Sequence, residues 1–135
     1  MDSSMIWVLV FIVVGLLFAQ QFKRAPAPLS AESVSGKVRH VVDGDSLYIN
    51  GHKPQIRLWG VDAPERDEAG YDAATRQLSA LAKGKRVRCD IIDRDHYGRT
   101  VARCFLSDGR EINREMIESG TTTEYRRFTK GFYSR

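Results

Sequence analysis

The sequence predicts a small α+β domain, mainly β: a five-stranded barrel with two helices, preceded by an N-terminal hydrophobic helix. Three observations lead there. Short runs alternate apolar and polar residues in the manner of half-buried strands. Two stretches of helical periodicity lie among them, each followed by a glycine. An uncharged apolar run stands apart, ahead of every strand. The chain has 135 residues, one domain's worth, so two globular domains do not fit. With 42% hydrophobic and 28% charged residues it is neither collagen-like, nor low-complexity, nor wholly disordered. Its 21 Lys and Arg against 17 Asp and Glu leave +4, which permits a polyanionic partner without demanding one.

The apolar run is Ile6 to Ala19, 14 residues without a charge, followed by Lys23 and Arg24. A run of this length suits a signal-peptide core or a short anchor. Met1 to Met5 carries no basic residue and Leu17-Phe18-Ala19 is a poor cleavage site, so an uncleaved anchor is favoured, with membrane contact through residues 6–22. Residues 1–24 form this anchor or signal segment, and the Pro/Ala/Ser stretch 25–34 is a semi-extended linker. The folded domain is expected over residues 35–135.

Three antiparallel strands are expected over Lys37 to Val42, Ser46 to Asn50 and Gln55 to Gly60, with Asn50-Gly51 as a hairpin signal. A helix follows over Ala69 to Lys83. Ala74, Leu78 and Leu81 share one stripe, Asp67, Glu68 and Asp72 lie near its start, and Gly84 follows its end. Residues 85 to 92 and 99 to 106 form a hairpin around His96-Tyr97-Gly98. If its turn is centred between His96 and Tyr97, Val87 faces Leu106, Cys89 faces Cys104 and Ile91 faces Ala102, which makes one face apolar. The same register sets Asp90 against Arg103 as a charge pair. A second helix over Glu111 to Ser119 turns Ile112 and Met116 inward and ends at Gly120. Three strands, a helix, two strands and a helix fit an OB-type barrel best.

In that register Cys89 and Cys104 stand close enough for a cross-strand disulfide. The alternative is two small buried apolar residues in a reducing compartment. A bridge favours an oxidising cell envelope. Zinc is disfavoured, because two cysteines and His40, His52 and His96 lack ligand spacing.

Val42-Asp43-Gly44-Asp45-Ser46 places two carboxylates around a glycine at a strand boundary, which by itself is a common turn. Arg57-Leu58-Trp59-Gly60-Val61-Asp62-Ala63-Pro64-Glu65 runs from a strand carrying an arginine into a loop with two carboxylates. Hard divalent cations take oxygen ligands, so Asp45 and Asp62 together can hold Ca²⁺. Glu65 then stands where a carboxylate can orient or deprotonate an attacking water. Arg57 and Arg99 offer planar forks of donors to a phosphate. Tyr125, Arg126, Arg127, Phe128 and Lys130 form a basic-aromatic tail suited to single-stranded nucleic acid, or else a solvated tail.

VVDGDS, then RLWGVDAPE, then DHYGR after a helix resemble the staphylococcal (micrococcal) nuclease, or thermonuclease, family over roughly Gly36 to Gly120. The resemblance implies an OB barrel with helices and a Ca²⁺-dependent phosphodiesterase acting on DNA or RNA. It implies one Ca²⁺ ion held by Asp45, Asp62 and the carbonyl of Ala63, where the family often has Thr. It makes Glu65 the carboxylate beside the attacking water, Arg57 and Arg99 the phosphate-binding arginines, Asp43 a supporting acidic neighbour and Tyr97 an aromatic beside the substrate phosphate. Tyr125 is a further substrate contact. Family domains usually continue past the position of Tyr133 into another helix, and Thr121-Thr122-Thr123 replaces a more apolar segment. Apolar barrel surface is therefore expected to await a partner, a second copy or the membrane. The reading is a membrane-tethered or exported nuclease of a bacterial envelope. Its rivals are a non-catalytic nucleic-acid- or protein-binding module on the same fold and a structural assembly domain.

Overall fold

A computed structural model describes residues 32–135. The expected hydrophobic helix and the membrane contact through residues 6–22 lie outside the described residues. Among the described residues, no helix is long and apolar enough to cross a membrane.

In chain order the elements are β1 (Ser33–Asp43), β2 (Ser46–Ile49), β3 (Ile56–Leu58), β4 (Val61–Asp62) and α1 (Tyr71–Ala82). There follow β5 (Arg86–Arg94), β6 (Thr100–Leu106), α2 (Ile112–Glu118), β7 (Thr123–Glu124) and α3 (Arg126–Thr129). Five strands close a barrel in the order β1-β2-β3-β6-β5. Antiparallel neighbours form every seam except β3–β6, which is parallel and needs the long crossover through α1 and β5.

The alternation in β6 explains its place: Thr100, Ala102, Cys104 and Leu106 are buried while the residues between them are partly exposed. Leu47, Ile49, Ile56 and Leu58 fill the barrel from β2 and β3. From outside, α1 contributes Ala74, Leu78, Leu81 and Ala82, and α2 contributes Ile112 and Met116. Each such side chain, once buried, stabilises by about 1.5–3 kcal/mol where it is as large as Leu, Ile or Met.

The β5–β6 hairpin keeps the expected register from Val87↔Leu106 to Ile91↔Ala102, and Cys89 and Cys104 are joined by a disulfide. Beyond Ile91 the register shifts, because Ile92 is bulged out, and the turn is centred on Tyr97 instead of between His96 and Tyr97. Asp90 does face Arg103, yet the two do not form the expected charge pair. Arg103 turns to the more buried Glu111, donating from Nε and Nη2 at 2.9 and 2.8 Å, while Asp90 takes Arg88 at 3.1 Å.

Three further features correct the expected fold. First, β1 starts at Ser33, inside the expected linker, because Ser33 and Val34 pair with Asp90 and Cys89. Second, the strand expected over Gln55 to Gly60 breaks after Leu58, where Gly60 takes a φ of +73°. Asn113 takes over at the break: its Oδ1 accepts from the Cys104 N–H at 3.0 Å, and its Nδ2 donates to the carbonyls of Trp59 and Ala102 at 2.9 and 3.1 Å. The chain resumes as β4, paired with β7. Third, α3 makes three helices among the described residues where two were expected. Residues 125–133 lie over Gly60 and Trp59, where apolar surface was expected to be left bare. Tyr125 N–H donates to the Gly60 carbonyl at 2.8 Å, Tyr133 is buried, and a Cβ on Gly60 would come within 2.3 Å of Thr129.

Candidate active site

The turn between β1 and β2 presents Asp45. A Cβ on Gly44 would stand 2.6 Å from the Ala74 Cβ and 3.0 Å from that of Ala63, so only glycine lets the turn rest on α1 and the loop after β4. Asp45 is buried and fully engaged. Its Oδ1 accepts from Ser46 Oγ at 2.9 Å, and its Oδ2 accepts from the Ala63 N–H at 3.3 Å and lies 3.3 Å from Arg57 Nη2. Asp43 accepts from the Asp45 N–H at 3.2 Å. Arg57 sits on β3 opposite Ser46, and its Nη1 donates to the carbonyls of Leu58 and Val61 at 2.9 and 2.7 Å. One guanidinium therefore joins the end of β3, the start of β4 and the Asp45 carboxylate.

Burial pushes the Asp45 carboxyl up to about 6; Arg57 opposes that rise and the Asp43 charge adds to it. Arg57 alone thus does not offset the cost of a charge at this position. A hard cation here would need oxygen donors, and those the neighbouring chain offers are the buried Asp45 carboxylate, the Asp62 carboxylate and backbone carbonyls. The Asp62–Ala63 peptide adjoins Asp45 through the Ala63 amide, and Asp62 itself is exposed on β4. Among the described residues no group of three or more His, Cys, Asp or Glu side chains is gathered to hold a metal. The fit therefore rests on two carboxylates and backbone oxygen.

Glu65 is exposed at the head of a tight turn, where its N–H donates to Glu68 Oε1 at 2.9 Å and its carbonyl accepts from the Glu68 N–H at 2.8 Å. Asp62, Ala63 and Glu65 line one open pocket, floored by α1 and walled by Thr121 to Thr123. Arg57, Arg99, Tyr97 and Tyr125 line a separate groove of about 590 Å³ with Trp59 and Phe128. The candidates thus fall into two groups. Asp62 and Glu65 face one hollow, the cations and rings face the other, and Asp45 lines neither but is reached from the groove by Arg57.

Asp95 organises the groove's far wall, a role that no reading of the sequence assigned to it. Its Oδ1 accepts from the N–H groups of Tyr97 and Arg99 at 3.0 and 2.9 Å, and its Oδ2 accepts from Arg99 Nε at 2.6 Å. Burial would raise its carboxyl, but the Arg99 and Tyr97 bonds outweigh burial and hold it below the usual carboxylate range. The signal was an Asp four residues before Arg99 with Gly98 between, the pattern of a side-chain-capped turn. Tyr97 projects from the tip, 74% exposed, with the Arg99 guanidinium 5.4 Å from its ring centroid. Trp59, which also lacked a role, and Phe128 of the expected basic-aromatic tail complete the aromatic lining, with Phe128 edge-on to Tyr125 at 4.7 Å.

Comparison with known proteins decides the family. The family model described as staphylococcal nuclease homologue matches residues 55–134, from the strand that carries Arg57 through Tyr133. The chain belongs to the staphylococcal nuclease family. Among curated members and relatives, it is 37% identical over 116 residues to a succinoglycan biosynthesis protein, ExoI, of Rhizobium meliloti (strain 1021), covering 78% of this chain and 59% of that one. It is 29% identical over 103 residues to an uncharacterized endonuclease of Escherichia coli O157:H7, covering 75% and 67%. An uncharacterized endonuclease of Haemophilus influenzae (strain ATCC 51907 / DSM 11121 / KW20 / Rd) is 32% identical over 103 residues, with 74% and 57% covered. The chain thus spans somewhat more than half the length of these relatives.

Proposed function

We propose that this staphylococcal nuclease homologue hydrolyses phosphodiester bonds of DNA or RNA with the help of one Ca²⁺ ion. The observation that carries the reading is the bridge made by Arg57, which joins a buried Asp45 carboxylate to a groove lined by a second arginine and several rings. Asp45 and Asp62 would hold the ion through their carboxylates and Ala63 through its carbonyl, with Asp43 supporting the turn. When bound, the ion polarises a phosphoryl oxygen and favours ionisation of a nearby water.

The chain's own residues then have distinct tasks. Arg57 and Arg99 bind the phosphate oxygens and offset negative charge as the fifth oxygen approaches phosphorus. Glu65 accepts a proton from the attacking water. The water oxygen bonds to phosphorus as the bond to the sugar oxygen breaks, and that oxygen takes a proton from solvent as it leaves, while Glu65 returns its own to solvent. Tyr97 and Tyr125 flank the strand and hold the scissile phosphate against the arginines. The Cys89–Cys104 disulfide supports an oxidising compartment, and so an exported or envelope location.

The test is cleavage of single-stranded DNA and RNA by the purified chain with Ca²⁺, with chelator, and with Glu65→Gln in parallel. Cutting is expected to need Ca²⁺ and to fall by about 10²–10⁴-fold in the Glu65→Gln variant, the usual contribution of a positioned base. Equal rates for Glu65→Gln, Asp62→Ala and the parent would overturn the assignment. Binding without cutting by the Ca²⁺-loaded parent would favour the binding-module reading.

A further inference from the structure

The groove does not end at Trp59. The Phe132 ring meets Trp59 edge-on at 5.6 Å, and the Arg103 guanidinium lies 4.8 Å from the Phe132 centroid and 5.5 Å from that of Phe105. Arg88 lies 4.9 Å from the Phe105 centroid. Rings and guanidiniums therefore alternate from Trp59 through Phe132, Arg103 and Phe105 to Arg88. They cross the outer face of β6 and β5 into a shallow basin lined by Ser35, Arg86, Arg88 and Phe105.

Register accounts for the row. Phe105 pairs with Arg88, Arg88 with Ser35, and Arg86 with Lys37. These positions point away from the buried Val87, Cys89 and Cys104. Glu111 holds Arg103 in a two-bond grip, so its guanidinium is a fixed plane and not a mobile surface charge. Lys37, Arg86 and Arg88 stand exposed at the outer end, where the Asp90 carboxylate holds Arg88 from one side.

We infer that this aromatic–guanidinium ladder is a track for single-stranded nucleic acid, leading the strand from the groove toward Arg86. The identity of the occupant rests on the nuclease reading. Single strands bind where bases find stacking planes and phosphates find cations, and guanidinium planes serve both purposes. At about 3.4 Å per nucleotide of stacked strand, the row adds a few nucleotides to the groove, within the roughly 4–16 that an OB barrel engages. A plain cationic patch has no need of rings between its charges.

Fluorescence anisotropy of the full chain with labelled oligothymidylates, in chelator, reads binding without cleavage. Arg86→Gln/Arg88→Gln is expected to weaken binding of a dodecamer about tenfold and leave a trimer unaffected. Its slope of log affinity against log salt should become shallower by about 1.4, since each cation lost on a single strand accounts for about 0.7. Phe105→Leu, which keeps the apolar volume, is expected to weaken the dodecamer several-fold with an unchanged slope, because stacking and no charge is lost. Circular dichroism verifies that both variants fold.

No loss in either variant, equal losses for trimer and dodecamer, or a parent that fails to bind the dodecamer would overturn the track. Competition by polyphosphate as effective as that of the dodecamer would reassign the row to polyanions in general. A parent that binds in this way but cuts nothing with Ca²⁺ would sink the nuclease reading and leave the track standing.

Discussion

Gly44 shows how one residue sets the candidate centre. A methyl group there would stand 2.6 Å from the Ala74 Cβ, far inside ordinary contact, so the turn must lift off α1 to accept it. Gly44→Ala is expected to cost about 1–3 kcal/mol, the usual penalty of overpacking, and to weaken Ca²⁺ affinity because Asp45 moves with the turn. Adding Ala74→Gly removes the opposing methyl. Relative to Gly44→Ala alone, the double variant should regain affinity even though glycine in a helix costs about 1 kcal/mol of its own. Urea midpoints and calcium titration measure the two effects, and affinity that stays low in the double variant would dissociate the turn from the packing. Arg57 is equally specific in shape. Its three bonds diverge from one plane, and a lysine offers only a compact charge on a flexible stem. Arg57→Lys is expected to lower kcat/KM by about 10²–10³, as loss of one well-placed donor does elsewhere. At this scale the sequence was informative where motif spacing paired charge with turn chemistry, as at Asp45 and Arg57, which the structure brings together, while Asp62 stands exposed on β4. It was uninformative for Asp95, whose function is to hold Arg99 and the tip, because an Asp before a glycine turn looks the same whatever it holds.

Glu111 links two elements and the segment after α3: it precedes α2, binds Arg103 of β6 and accepts from the buried Tyr133 hydroxyl. Burial would raise its carboxyl, yet the bonds from Arg103 and Tyr133 prevail and hold it below the ordinary glutamate value. A carboxylate lowered in the folded state contributes stability that is complete above its unfolded value, about 4.3, and is lost as pH falls through the lower folded one. Glu111→Gln leaves Arg103 without its partner and is expected to cost about 3–5 kcal/mol at pH 7. The difference from the parent should narrow as pH falls below about 4.3. Urea midpoints at neutral and acid pH read this directly, and a gap that is constant with pH would mean the carboxylate charge is not what matters. The expected Asp90–Arg103 pair failed because register fixes which Cα atoms face one another but not which carboxylate a long arginine reaches. Burial of Glu111 decided it. The β5–β6 register was legible because one face had to be apolar. The Ile92 bulge was not, since either of the adjacent Ile91 and Ile92, set between Asp90 and Asp93, suits the inward face. The short β4–β7 pair and the Asn113 bond to Trp59 depend on partners about 60 and 50 residues apart, beyond any local pattern.

At the scale of the whole domain, the barrel is closed by seams of unequal kind. β5 and β6 form one consecutive hairpin, which is joined to the β1–β2–β3 unit through β1 on one edge and through the parallel β3 on the other, so its own seam aligns both long-range closures. The Cys89–Cys104 disulfide crosses that seam from within the core, with both residues wholly buried. It closes a loop of sequence separation 15 that contains Arg94, Asp95, Tyr97 and Arg99, the wall of the candidate groove. In the chain-entropy model such a loop is worth about 3 kcal/mol, because the bridge restricts the unfolded chain. Cys89→Ala/Cys104→Ala should therefore lower Tm by about 12–24 °C, at about 4–8 °C for each kcal/mol in a domain of this size. Catalysis at 25 °C should persist, since the ladder bonds on either side of the bridge still set the position of the hairpin tip. Thermal melts of the parent with and without dithiothreitol, beside the double variant, test the point. If the bridge acts through the unfolded chain, the reduced parent should melt near the double variant and recover its Tm on reoxidation. If reduction leaves Tm unchanged while free thiols appear, the barrel seams alone carry the closure. A fall in activity at temperatures well below the melt would instead place the bridge in the geometry of the Arg99 wall.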